Sequence, residues 1–112
     1  MLPKTNRLKK TKEIRKVFKG GSAFREAFLL LRPIKNSLNS TRFVFVVGKN
    51  VSKKATIRNK IRRKIREAVR LRMLEIKKGF DAVFIVSRVA AVPSFKEVEL
   101  IVEKLLKKAK LI

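Results

Sequence analysis

The sequence of 112 residues contains no histidine and no cysteine. Because zinc fingers, disulfide frameworks and nucleophiles paired with histidine need these residues, those classes of site are excluded. Acidic residues are also few, with eight Asp and Glu against 31 Lys and Arg. Only Glu97, Glu99 and Glu103 lie close together in sequence, and their spacing is typical of ordinary charges on a helix surface. We therefore predict no catalytic residue and no metal site among the side chains of this chain.

Long apolar runs are missing as well. Runs such as residues 27–31, 43–47 and 82–86 are much shorter than the roughly 18 residues that span a bilayer. Residues 1–19 hold no apolar stretch of the kind found in signal peptides. We therefore expect a soluble, cytoplasmic protein that binds no membrane. Hydrophobic residues still make up 46% of the chain, which is enough for a core, so we predict one folded domain over residues 1–112.

Positive charge is concentrated in two segments of the chain, whose formal net charge is +23. Residues 1–22 contain eight basic residues and one acidic residue, and residues 49–72 contain 11 basic residues and one acidic residue. Repulsion at this density destabilises a compact chain unless a polyanion neutralises it. Nucleic acid fits this role better than an anionic membrane, because residues 57–72 contain none of the aromatic groups that a membrane-binding helix inserts among lipids.

Hydrophobic periodicity predicts the order helix, strand, strand, helix, strand, helix. The first helix is expected after Thr11, its N-cap, and Gly20 and Gly21 form its stop signal. Residues 24–32, ended by Pro33, and residues 42–47 have the composition of two strands. Since a polar, turn-prone segment separates these strands, we expect them to form an antiparallel pair.

The second half of the chain completes the predicted pattern. A long helix is expected over residues 56–78 with Gly79 as its stop, followed by a buried strand over residues 80–87. Ser94 and Glu97 form a capping box that begins a C-terminal helix. The predicted fold is α+β, a two-layer sandwich in which three helices pack on one face of a small mixed β-sheet. A groove is expected between the first helix, the sheet and the C-terminal helix.

The long helix carries the most informative pattern in the sequence. Its apolar residues recur at intervals of three and four and predict one buried stripe, which contains Ile57, Ile61, Ile65, Ala68 and Val69. At about 100° per residue, the opposite face contains Asn59, Arg62, Arg63, Arg66 and Arg70. A guanidinium group can bind two phosphate oxygens at once, and Glu67 is the only acid in residues 49–72. This face therefore predicts a nucleic-acid interface rather than a solvated surface.

Two observations leave alternatives open. Asn59 is a poor residue for the middle of a helix, so either it lies in the first turn near Thr56 as the cap, or it makes directional hydrogen bonds to RNA. These two explanations are compatible. The phenylalanines are expected mainly in the core, and one or two of them are candidates to line a cleft for single-stranded RNA.

Residues 54–67, KATIRNKIRRKIRE, resemble the signature of the bacterial ribonuclease P protein subunit family, in which Arg-Asn-Arg precedes a basic helix that ends in Ile-Arg-Glu. The flanking segments are also similar to that family: RLKK at residues 7–10, VFKGG at residues 17–21 and GFD at residues 79–81. Lys60 stands where the family motif has its third arginine. The resemblance covers nearly the whole chain.

The resemblance implies a fold like the second domain of a ribosomal protein, with a left-handed β-α-β crossover at the basic helix. It also implies one-to-one assembly with ribonuclease P RNA, the catalytic RNA that removes the 5′ leader from precursor tRNA. The Mg²⁺ used in this hydrolysis is expected to be bound mainly by the RNA. By similarity, the residues expected to contact the RNA are Arg58, Asn59, Lys60, Arg62, Arg63 and Arg66. Basic residues that are further RNA-binding candidates are Lys53, Lys54 and Arg70.

The family also implies a cleft that holds the single-stranded leader, and Ile14, Phe18 and Leu30 are the lining candidates. Many relatives carry aromatic residues where Ile14 and Leu30 stand. We therefore expect Phe18 to stack on bases and the other two side chains to make van der Waals contact. The main alternative is a non-enzymatic ribosomal or RNA-chaperone protein. A nucleoid-type DNA-binding protein is a further alternative, and a protein nuclease is disfavoured because acids are few and histidine is absent.

Overall fold

Three helices and four strands follow the predicted order in residues 2–112, the part of the chain that the computed structural model describes. After a short 3₁₀ turn at Lys4–Asn6, the elements are α1 (Thr11–Lys19), β1 (Phe24–Glu26), β2 (Leu29–Lys35), β3 (Arg42–Val47), α2 (Ala55–Arg70), β4 (Phe80–Val86) and α3 (Phe95–Lys108). The strands form one mixed sheet. The predicted α+β class, with a small mixed sheet and three helices, is confirmed.

The sheet has the strand order β1-β2-β4-β3. β2 is antiparallel to both β1 and β4, whereas β3 is parallel to β4. The predicted antiparallel pair of residues 24–32 and 42–47 is therefore wrong, because β4 lies between them. β4 is the most continuously apolar strand, and the central position buries it on both faces. Its parallel pairing with β3 requires a long crossover, which α2 provides.

The first predicted strand is divided in two. Ala27 has a positive φ of 52° in the turn between β1 and β2, and β2 then continues through Pro33 to Lys35. Proline did not end the strand because β1 pairs only with residues 29–31 of β2. Beyond that point β2 has a free edge, where a residue without an N–H group is tolerated.

The helix boundaries differ from the prediction at three points. α2 ends at Arg70, not at residue 78, and residues 71–75 form turns. Beyond this point Leu71 and Leu74 are exposed, whereas Met73 packs against the core and Ile76 is buried in it. Lys10 and Lys54 occupy the N-cap positions that were assigned to threonines. The cap of α3 is confirmed, because the Ser94 hydroxyl accepts a hydrogen bond of 3.2 Å from the Glu97 N–H.

The helices cover both faces of the sheet, not one face as predicted. α2 and α3 pack on the first face, where Phe43, Phe45 and Phe84 stack with ring centroids 5.7–6.3 Å apart. α1 packs on the second face through Val17, which contacts Val83 of β4. Successive strand residues point to opposite faces, so this single sheet serves two separate cores. The predicted groove between α1 and α3 is therefore wrong, because the sheet separates these helices.

The N-terminal segment crosses the outer edge of β3. Leu2 is buried in the core of the first face and Leu8 in the core of the second. The Leu8 N–H donates a 2.8 Å hydrogen bond to the Phe43 carbonyl, and the Asn6 side chain donates one to the Thr41 carbonyl. This segment thus holds the basic residues Arg7, Lys9 and Lys10 beside the sheet. Among the described residues, the structure contains no helix with the length and apolarity needed to cross a membrane.

Candidate nucleic-acid interface

α2 presents a basic surface because its apolar residues are buried in the core and its remaining residues are mostly basic. Ile61, Ile65, Ala68 and Val69 are fully buried against the first face of the sheet and α3, as the sequence predicted. Each turn of α2 therefore directs its remaining side chains to the flank or to solvent. Those remaining side chains are mostly arginine and lysine.

The structure divides the predicted basic face into two rows. An inner row contains Arg58, Arg62 and Arg66, which are spaced four residues apart and half-buried along the flank of α2. An outer row is exposed and contains Asn59, Lys60, Arg63 and Arg70. The prediction that Arg62 and Arg66 lie directly opposite the core is wrong, because their stems cover apolar surface beside the sheet. The Arg66 guanidinium carbon lies 6.0 Å from the centroid of the Phe45 ring.

The inner row is a set of like charges without a counterion in the protein. Burial, together with repulsion from Arg66 and Arg58, lowers the pKa of Arg62 from its ordinary value. No acidic side chain forms an ion pair with these three arginines within residues 2–112. An anion placed here would relieve this repulsion, so the row suits phosphate groups.

A groove of about 300 Å³ adjoins the inner row between α2 and the N-terminal segment. Arg62 and Arg66 line one side, and Arg7 and Lys9 line the other. The Arg7 side chain is oriented by a 2.8 Å hydrogen bond from its Nε to the Leu2 carbonyl. Arg7 and Lys9 were not among the predicted site residues, although the excess of basic residues in residues 1–22 indicated a role for this segment.

The loop before α2 brings two more predicted residues to the same surface. Lys53 and Lys54 are exposed directly before the helix. Arg58 donates hydrogen bonds from one guanidinium nitrogen to the carbonyls of Ser52, at 2.9 Å, and Lys53, at 3.0 Å. Part of the role of Arg58 is therefore to order this loop.

Two residues of the outer row have partners within α2. Asn59 is the fifth residue of the helix, so it lies beyond the first turn, and its side-chain oxygen accepts a hydrogen bond from Arg62. Arg70 forms an ion pair with Glu67, which lowers the pKa of Glu67 chiefly through the hydrogen bond from Arg70. Arg63 and Lys60 make no side-chain hydrogen bond or ion pair in the described part of the chain. Arg63 and Lys60 are thus more available to a ligand than Arg70.

The acidic residues are engaged away from the inner row. Six of the eight form ion pairs: Glu13 and Asp81 with Arg42, Glu26 with Lys108, Glu67 with Arg70, and Glu75 and Glu103 with Arg72. Over residues 2–112 the structure brings together no three acidic residues that could hold a metal ion. None of these ion pairs involves Arg58, Arg62 or Arg66, so the surface of these three arginines stays strongly cationic within residues 2–112.

The second face of the sheet carries a row of partly buried apolar residues on the side where α1 packs. Leu30, Ile85 and Val46 are aligned across β2, β4 and β3, and all three are only partly buried. Phe18, near the end of α1, is 41% exposed beside this face. The structure therefore places two of the predicted cleft residues, Phe18 and Leu30, on the same face of the sheet.

The remaining predicted cleft residue, Ile14, is half-buried and packs in the small core under α1. Arg32 was not predicted, although it lies on the same face of β2 as Leu30. Its Nη2 donates a 2.9 Å hydrogen bond to the Phe18 carbonyl. Its Nε is buried and has no hydrogen-bond partner among the described residues. Ile85 and Val46 were also missed, because only the strand register shows that they align with Leu30.

Comparison with known proteins gives the family of this chain. The family model described as Ribonuclease P matches residues 2–110. The chain belongs to the ribonuclease P protein family. It is 35% identical to the ribonuclease P protein component of Alkaliphilus oremlandii, over 96% of this chain and 93% of that protein. The resemblance seen in residues 54–67 is thereby confirmed.

Solved structures of ribonuclease P proteins also have this fold. The protein from Staphylococcus aureus has a TM-score of 0.85 and 25% identity, over 95% of this chain and 96% of that chain. The protein from Thermotoga maritima, solved in complex with 1-(4-fluorophenyl)-2-thiourea, has a TM-score of 0.81 and 32% identity, over 91% and 98%. These similarities extend over nearly the whole lengths of the chains.

Proposed function

We propose that this protein is the protein subunit of ribonuclease P, an endoribonuclease complex that matures tRNA in the cytoplasm. Its α2 surface binds the catalytic RNA, with one protein for each RNA, and its α1 cleft binds the 5′ leader of precursor tRNA. The observation that carries this proposal is the inner row of Arg58, Arg62 and Arg66, whose positive charges form no ion pair with an acidic side chain in residues 2–112. Most carboxylates of this family member are already engaged in ion pairs with other basic residues. Such a surface binds phosphate groups, and phosphodiester hydrolysis is carried out by the partner RNA.

The protein contributes to the reaction by position and charge. The α2 surface neutralises phosphates of the folded RNA, and the Lys53 and Lys54 loop extends that contact. Mg²⁺, held mainly by the partner RNA, would supply the activation of water for phosphodiester hydrolysis. The carboxylates of this chain fit ion pairing better than metal binding, because Arg42 and Arg72 already occupy four of them.

The cleft favours precursor over mature tRNA, because only the precursor has a leader to place in it. Phe18 offers a ring for base stacking, and Leu30, Ile85 and Val46 form an apolar floor. Arg32 adds a cation on the same face of the sheet. The two surfaces are built on elements from opposite faces of the sheet, so one subunit can contact its RNA and the leader at the same time.

Reconstitution tests the assignment of the α2 surface. We expect the protein with ribonuclease P RNA to cleave precursor tRNA at the leader junction at low Mg²⁺, and the protein alone to be inactive. A double variant, Arg62→Ala with Arg63→Ala, should lose this stimulation. Lys96→Ala with Lys104→Ala is the matched control, since both lysines are exposed on α3. If the wild-type protein binds RNA but never stimulates cleavage, the protein is an RNA chaperone or ribosomal protein.

Leader length tests the cleft. The affinity of the reconstituted enzyme for precursor tRNA should fall as the leader is shortened and should approach the affinity for mature tRNA. Phe18→Ala should reduce this difference without changing the affinity of the protein for ribonuclease P RNA. An affinity that does not depend on leader length would exclude the cleft as the leader site.

A further inference from the structure

α1 is held on the sheet by few apolar contacts. Among the residues of α1, all of which the structure describes, only Val17 is fully buried, and Ile14 is half-buried. The rest of the helix surface is mostly lysine and arginine. Helix docking normally depends on a broad apolar face, so α1 needs other contacts to keep one position over the sheet.

Arg42 of β3 provides the main additional contact. Its Nε and Nη2 donate hydrogen bonds of 2.8 and 2.7 Å to the two carboxylate oxygens of Asp81 on β4. Its Nη2 and Nη1 donate hydrogen bonds of 2.9 and 3.3 Å to the carboxylate of Glu13 on α1. Arg42 thus joins the sheet to the helix through two forked contacts.

The sheet side of this contact is rigid. The Asp81 side chain is 9% exposed, and it also accepts a 2.8 Å hydrogen bond from the Asn36 side chain. The Arg42 side chain is 19% exposed. Hydrogen bonds to Asp81 and Glu13 raise the pKa of Arg42, so the guanidinium stays charged throughout the physiological range. Asp81 therefore orients Arg42, and Arg42 determines where Glu13 lies.

A second contact holds the other end of α1. Arg32 of β2 donates a 2.9 Å hydrogen bond to the carbonyl of Phe18, where the helix dipole favours a cation. Phe18 is also the exposed residue of the proposed leader cleft. Its position consequently depends on contacts at both ends of the helix, with Glu13 in the first turn and Phe18 in the last.

We infer that Glu13, Arg42 and Asp81 are positioning residues that place α1 over the sheet and thereby set the geometry of the leader cleft. This inference rests on the proposed leader-binding function. It assigns no contact with RNA to these three residues. Their effect on the leader passes through α1 and Phe18.

The variant Glu13→Gln distinguishes an effect of the position of α1 on leader binding from an effect of net charge on RNA binding. The substitution removes one negative charge, so a purely electrostatic effect would strengthen binding to RNA. Loss of the ion pair would instead loosen α1 and reduce the leader-dependent part of the affinity, by roughly three- to ten-fold. Glu97→Gln is the matched control, because Glu97 is an exposed acid on α3 whose carboxylate forms no ion pair in the described part of the chain.

The measurement is the ratio of affinities for precursor and mature tRNA in the reconstituted enzyme. We expect this ratio to fall in Glu13→Gln and in Arg42→Lys. Lysine keeps the positive charge of Arg42 but cannot make the paired guanidinium hydrogen bonds to Asp81 and Glu13. The ratio should stay at the wild-type value in Glu97→Gln, and the affinity for ribonuclease P RNA should stay unchanged in all three. Equal ratios in Glu13→Gln and Glu97→Gln would overturn the positioning role.

A distance measurement gives a second readout that does not require a leader. Because the chain has no cysteine, cysteines introduced at exposed Lys19 and Lys49 can carry a pair of spin labels. The distance distribution should broaden in Glu13→Gln and not in Glu97→Gln. If it stays narrow, the ion pair does not position α1. If it broadens while wild-type affinity proves independent of leader length, the proposed leader function fails and the positioning of α1 stands.

Discussion

Replacing Arg63 with alanine should remove one phosphate contact from the α2 surface and little else. Arg63 is exposed in the outer row, and it makes no side-chain hydrogen bond or ion pair within residues 2–112. Arginine and alanine both favour helix, so α2 should stay intact. A change in RNA binding can then be assigned to the lost charge.

The expected size follows from counterion release. Each phosphate contact contributes about 0.9 to the slope of log K against log salt for a duplex and about 0.7 for a single strand. If the wild-type and variant proteins bind alike near 1 M salt, loss of one contact weakens binding by roughly five- to eight-fold at 0.1 M. The slope itself should become shallower by somewhat less than one unit.

The assay is a titration of fluorescent ribonuclease P RNA with protein at a series of NaCl concentrations. Lys104→Ala is the control, since it removes the same charge from an exposed site on a different helix, α3. Arg70→Ala should change the slope less than Arg63→Ala, because Arg70 already pairs with Glu67. An unchanged slope in Arg63→Ala would remove Arg63 from the interface. An equal change in Lys104→Ala would show that binding follows net charge and not this surface.

Three further predictions concern stability, each measured by urea unfolding. Val17→Ala removes buried volume under α1 and should lower the free energy of unfolding by about 2 kcal/mol; no loss would show that α1 is not docked through Val17. Phe84→Ala leaves a cavity at the centre of the stacked phenylalanines and should lower the free energy of unfolding by about 3–5 kcal/mol. Phe18→Ala, at an exposed position, should change the free energy of unfolding very little. Hydrogen bonding from Lys107 and the charge of Arg72 lower the pKa of Glu103 in the folded protein. The Glu103 carboxylate therefore stabilises the fold at pH values above its pKa in the unfolded chain, and this stabilisation is lost as the pH falls through its pKa in the folded protein. Glu103→Gln should therefore reduce the loss of stability on acidification, and an unchanged pH profile would contradict this.

Local features were predicted well because they depend on local sequence. The stripe of Ile61 and Ile65 predicted α2 and its buried side, and Ser94 with Glu97 predicted the start of α3. Errors arose where a non-local contact decides the outcome. α2 ended at Arg70, and the turns that follow bury Ile76 while they expose Leu71 and Leu74. Pro33 remained within β2 because the neighbouring strand is short.

The candidate interface shows the same division. The arginines of α2 were identified from spacing and charge, and their assignment to RNA contact stays a prediction. That Arg58, Arg62 and Arg66 form a half-buried row beside the N-terminal segment required the packing of α2 on β3. The cleft was only partly predicted, since Arg32 joins it through a hydrogen bond to a helix end that no local pattern signals.

The sequence by itself determined the chemistry of this protein: a cationic surface, an apolar core and no histidine or cysteine. These properties follow from side-chain types and from helical periodicity, which act over a few residues. The tertiary structure alone decided the strand order, the placement of α1 on the second face and the link from Asp81 through Arg42 to Glu13. Those outcomes depend on which distant segments bury each other's surfaces and satisfy each other's charges, a competition across the whole chain that local spacing does not encode.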